Sequence, residues 1–122
     1  ITRKYRVPKL SKSLLRMGIM PAHPGFFCKK KFFDNLGGFK LEKRVAPDFE
    51  LMVRFLVRGD LQATLVPKVL VKMRNGGLSN TNFAYILGRF RRQVYSCHVN
   101  GLWTNSLVVL AKYPYKLLEY LR

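Results

Sequence analysis

The stretch Val45-Ala46-Pro47-Asp48-Phe49-Glu50-Leu51-Met52-Val53-Arg54 decides how the rest of this sequence is read. Pro47 suits the first position of a helix, where its missing N–H loses no hydrogen bond. Asp48 and Glu50 suit the positive end of the helix dipole. Leu51, Met52, Phe55 and Leu56 follow at helical spacing, which predicts one buried face. Glu50 and Arg54 make an i,i+4 pair of favourable orientation. Gly59 is placed to close the helix.

Upstream, Ser11 is an N-cap for a short helix through Met17, stopped at Gly18. Met20-Pro21-Ala22-His23-Pro24-Gly25 cannot be helical throughout, because each proline pushes its predecessor toward extended geometry. Phe26-Phe27-Cys28 reads as a short strand. Residues 29–36 form two helical turns, with Gly37 in the C′ position. Downstream, 61–66 and 69–73 read as strands with Pro67 between them. Residues 74–80 have the composition of a flexible loop. A helix is predicted from Thr81, with Phe83, Ile86, Leu87, Phe90 and Val94 on one face and Arg89, Arg92 and Gln93 toward the other. Asn100-Gly101 ends it. Residues 102–122 form a second amphipathic segment, bent at Pro114. The sequence shows no internal repeat.

The chain has 122 residues and a net charge of +17, from 23 Lys and Arg against 6 Asp and Glu. Hydrophobic residues make up 48%, which excludes a disordered polycation. Such a charge favours polyanions: nucleic acid, anionic lipid or phosphorylated small molecules. The charge is uneven. Residues 1–44 hold 12 basic and 2 acidic residues, whereas 45–82 hold 5 and 3. Half of the acids thus lie in a segment of low net charge, which marks it as the first place to look for a site. Cys28 and Cys97 stand in no metal-ligand spacing and read as two isolated thiols. No basic-then-apolar leader and no apolar run of membrane-spanning length is present in these residues. The start at Ile1 is what a piece of a longer chain would have.

Four motifs occur in a recognisable order. They are Met20-Pro21-Ala22-His23-Pro24-Gly25-Phe26-Phe27, Leu36-Gly37-Gly38-Phe39, the 45–54 string, and Val66-Pro67-Lys68-Val69-Leu70-Val71-Lys72-Met73-Arg74 leading into Gly76-Gly77-Leu78-Ser79-Asn80. Together they resemble the C-terminal half of a family 2 glycosyltransferase. The resemblance covers roughly residues 17–80 with motifs. It implies an α/β fold: the C-terminal half of a GT-A mixed sheet, short strands flanked by helices, with two amphipathic helices following. Residues 1–80 would be the acceptor and base-bearing part, and 81–122 a helical extension. The donor-binding half, with its Asp-x-Asp metal motif, would be absent. Mg2+ or Mn2+ would then be held outside these residues. Pro47 is a mild departure from the commoner Ala-Ala-Asp or Ala-Glu-Asp pattern.

The resemblance also implies roles. Asp48 would be the general base of an inverting transfer, taking the proton of an acceptor hydroxyl as it attacks the sugar C1. Its plain alternative is a helix N-terminal acid that only satisfies the dipole. His23 would face the acceptor, or be an ordinary surface histidine. Arg54 would either approach a diphosphate or simply pair with Glu50. Arg74, Gly76, Gly77 and Ser79 resemble the loop that closes over the diphosphate, or an ordinary strand-to-helix turn. Lys29, Lys30 and Lys31 are a solvated helix face or a patch for a polyanion. His98 reads as structural or exposed.

The implied activity is sugar transfer from a nucleotide-diphosphate sugar to a carbohydrate or lipid-linked acceptor. The implied setting is cytoplasmic, at the inner face of a membrane, with peripheral contact through 102–122. Self-association is a further expectation. The rival reading is a basic, non-catalytic relative that binds RNA or an anionic membrane within a larger assembly.

Overall fold

The computed structural model describes residues 9–21, 23–72 and 83–121. Its elements are α1 (Lys12–Arg16), a 3₁₀ turn (His23–Gly25), α2 (Lys30–Leu36), α3 (Pro47–Val57), α4 (Phe83–Val99), α5 (Ser106–Leu110) and α6 (Lys112–Leu121). Among the described residues there is no strand. The expected α/β fold is therefore corrected: the described architecture is helical, and no GT-A mixed sheet is present in it.

The correction has a physical reason. Phe26-Phe27-Cys28, 61–66 and 69–72 have strand-like composition but pair with no segment among the described residues, and Met73, the end of the last expected strand, lies outside them. A strand cannot satisfy its own backbone groups. Within 62–72 the local turn bond from Lys68 N–H to Val66 C=O, 2.8 Å, stands in place of a ladder. Leu65, Val66, Val69, Leu70 and Val71 are consequently exposed.

The helix boundaries follow from capping chemistry. The Ser11 side chain accepts from Leu14 N–H at 3.3 Å and opens α1. Gly18, at φ +72°, takes the left-handed position after α1. Ile19 N–H then bonds Leu14 C=O at 2.9 Å, and Gly18 N–H bonds Leu15 C=O at 2.9 Å. This pair of bonds is a Schellman closure, and buried Ile19 supplies its apolar contact. The same closure ends α4, where Leu102 N–H bonds Cys97 C=O at 2.9 Å and Gly101 N–H bonds His98 C=O at 3.1 Å. At the end of α3 the left-handed residue is Asp60, φ +49°, rather than Gly59.

α3 is the central element. Every residue from Phe49 to Leu56 is buried, so the helix is covered on all sides rather than on one face. α1, α2 and α4 all pack on it. Leu10, Leu15, Phe49, Met52, Val53, Leu56, Cys97 and Leu102 form the main core. Residues on both sides of position 80 thus contribute to it. Phe33 of α2 meets Phe55 edge-on at 5.4 Å.

The buried side of α4 is turned by roughly a quarter-turn from its apolar stripe, of which Ile86, Phe90 and Val94 are half-buried. Gln93, Ser96 and Cys97 are buried, while Phe83 is 79% exposed. Polar Gln93 is accepted in the core because its amide is occupied. Its Nε2 donates to Gly18 C=O at 3.3 Å, and its Oε1 receives Lys112 Nζ at 3.4 Å. α5 and α6 are separated at Ala111, and Pro114 sits in the first turn of α6, where it loses no helical bond within that helix.

Candidate functional site

The N-terminus of α3 is fixed from two directions. Ala46 N–H donates to Ser96 Oγ of α4 at 3.3 Å, and Ser96 Oγ donates to Arg92 C=O at 2.6 Å. Ala46 C=O receives Glu50 N–H at 2.7 Å. Pro47 then sets the first helical residue, and Asp48 follows on the first turn. Asp48 is half-buried, and its Oδ1 accepts Phe49 N–H at 2.8 Å.

Asp48 opens into a cavity of about 390 Å³ between α3 and α4. Met20, Tyr85, Arg89, Arg92 and Gln93 line it as well. Arg92 also lies over the Tyr85 ring, 6.0 Å from its centroid. One carboxylate therefore shares a cavity with two guanidinium groups that make no ion pair with a carboxylate among the described residues. The positive end of α3 adds to the field that favours anions there. Such an arrangement can hold a phosphorylated ligand and present a carboxylate to one of its neighbours.

Glu50, two residues on, faces the opposite way. It is fully buried and accepts from Arg54 Nε at 3.1 Å and Arg54 Nη2 at 3.0 Å. Asn100 Nδ2 donates to it at 3.2 Å, and Lys40 Nζ lies 3.9 Å away. Arg54 spends its remaining donors on carbonyls: Nη1 to Leu36 C=O and Nη2 to Gly38 C=O, both at 2.6 Å. Arg54 thus closes the end of α2 onto α3 and is not among the residues lining the cavity. Of its two readings, the Glu50 pair is the one seen here. Gly37 tolerates this clamp because it has no side chain. A Cβ there would stand 2.8 Å from Arg54 Nη1, and its φ of +90° suits glycine.

The remaining expected residues are dispersed. His23 begins the 3₁₀ turn, three residues after cavity-lining Met20. Arg74, Gly76, Gly77 and Ser79 lie outside the described residues. His98 Nε2 donates to Thr104 C=O at 2.8 Å, so it braces the α4–α5 connection. Among the described residues no group of three His, Cys, Asp or Glu side chains could hold a metal ion. Cys28 and Cys97 are free thiols. Burial pushes the Cys97 thiol up to about 12, partly offset by Arg16, which leaves it a core group rather than a nucleophile.

Tyr85, Arg89 and Arg92 were not singled out by motif. Their spacing does carry a signal: positions 85, 89, 92 and 93 share one face of a helix. That face becomes a site only when α3 is placed against it, a contact spanning some forty positions of sequence.

No family model matches this chain, and no curated protein or solved structure matches it either.

Proposed function

We propose that this chain is the acceptor-side, base-bearing part of an inverting transferase that uses a nucleoside-diphosphate sugar. The observation that supports the reading is the sharing of one cavity by Asp48, Arg89 and Arg92. The order of motifs and the cavity chemistry support it together; the helical architecture, without the GT-A sheet among the described residues, does not.

In this scheme the acceptor hydroxyl sits beside the Asp48 carboxylate. Its oxygen attacks the sugar C1 as Asp48 takes its proton. The new C1–O bond forms on the face opposite the breaking bond to the diphosphate. Arg89 and Arg92 offset the negative charge of a phosphoryl group, as guanidinium forks do well. Tyr85 and Met20 supply less polar walls against which a sugar ring could rest. The described residues do not fit a metal site, so no step is routed through Mg2+ or Mn2+, and any such ion belongs to a donor-binding part. His23 is proposed as an acceptor contact, and Arg74, Gly76, Gly77 and Ser79 as diphosphate contacts.

The test is turnover in the protein that carries these residues together with a donor-binding part. Nucleoside diphosphate release is measured across a panel of nucleotide sugars and acceptors. Asp48→Asn keeps the shape and removes the base, so turnover should fall by roughly 10²–10⁴-fold with donor binding unchanged. Retention of the wild-type rate by that variant rejects the reading.

A further inference from the structure

The outward side of the C-terminal helices carries apolar side chains where a water-facing surface would carry polar ones. Leu107, Leu110, Tyr113, Leu117, Leu118 and Leu121 are all exposed, with Leu107 and Leu121 each at 77%. At 3.6 residues per turn these six positions fall within an arc of about 140°. The arc runs on across the α5–α6 junction, because Ala111 N–H bonds Leu107 C=O at 3.1 Å and Tyr115 N–H bonds Ala111 C=O at 3.3 Å. Buried Val109 and Lys112 lie on the opposite side, against the rest of the protein. This helical pair therefore has a buried side inward, with Val109 and Lys112, and an apolar side outward.

A second stripe joins it. Phe83 and Leu87 are exposed on α4 and share a face with Phe90. The Phe90 ring meets Tyr113 of α6 edge-on at 6.0 Å. Exposed Arg91 flanks that stripe. The cavity residues Tyr85, Arg89 and Arg92 lie on another side of α4, so this surface is independent of the proposed chemistry.

The occupant follows from charge and shape. A second copy would bring another +17 to the contact, and like charges oppose that association. A nucleic acid would use the cations but has no use for a leucine stripe. A spanning segment is unsuited, since no helix among the described residues is long and apolar enough to cross a membrane. An anionic lipid surface satisfies both features, taking apolar side chains at the acyl boundary and cations among the headgroups. We propose that the joint stripe of α4, α5 and α6 lies in the interface of an anionic phospholipid membrane.

The 122-residue chain itself provides the test, by co-sedimentation with extruded vesicles. Partition should be strong with equal phosphatidylcholine and phosphatidylglycerol and weak with phosphatidylcholine alone. The double variant Leu117→Ser, Leu121→Ser should lower it by on the order of tenfold or more. Both side chains are exposed, so circular dichroism should report an unchanged fold. Equal partition of variant and wild type reduces the binding to charge alone and overturns the proposal, as does absence of binding by the wild type. A lipid-free dimer dispersed by the same substitutions overturns it in favour of a second copy. Loss of single-stranded RNA binding by the same factor overturns it in favour of nucleic acid.

Discussion

Glu50 and Asp48 are two residues apart and have opposite fates, because a helix turns 100° per residue. Asp48 opens into a cavity; Glu50 is sealed under α3 with Arg54 and Asn100 on its oxygens. A buried carboxylate of this kind is tolerable only when paired. Its removal leaves Arg54 charged and uncompensated. Glu50→Ala should therefore cost about 3–5 kcal/mol of stability, measured by urea unfolding. Replacing the pair by Glu50→Ala with Arg54→Met should cost less than the two single changes summed. Additive losses would mean that the two groups do not act as a unit. The Glu50–Arg54 pair was legible in the sequence because it is local. The bonds from Arg54 to Leu36 and Gly38 were not, since they depend on how α2 docks on α3.

At the scale of elements, stops proved more legible than faces. Ser11, Gly18, Pro47 and the Asn100-Gly101 pair each mark a boundary through backbone chemistry that needs no distant partner. Gly18 also shows how tightly a stop can be tied to packing. A Cβ there would meet Gln93 Oε1 at 2.7 Å and Val109 Cγ1 at 3.2 Å. Gly18→Ala should lower stability by roughly 1–3 kcal/mol, through the positive φ and this crowding together. Thermal unfolding reads it directly, and a neutral result would mean that α4 and α5 shift at little cost. The buried face of α4 lies about a quarter-turn from the expected one, because apolar periodicity reports where apolar side chains cluster, not which side is covered. Its buried side is built from Gln93, Ser96 and Cys97. The expected strands 61–66 and 69–73 were misread because a strand is a property of two paired segments, and among the described residues nothing pairs with them.

For the whole molecule, the +17 charge organises the two surfaces that matter. One is a cavity that Arg89 and Arg92 share with a carboxylate; the other is the apolar stripe proposed to lie on an anionic membrane. The site was half legible. Asp48 stood out as an acid at a helix start in a basic chain, whereas the arginines opposite it belong to another element. Asp48 is the one carboxylate lining the cavity among the described residues. In the proposed scheme Asp48 serves as base in one displacement, which inverts C1. Proton NMR of the product anomer tests this most directly, in the protein that joins these residues to a donor-binding part. An α-linked nucleotide sugar should give a β-linked product. An α-linked product would contradict the account.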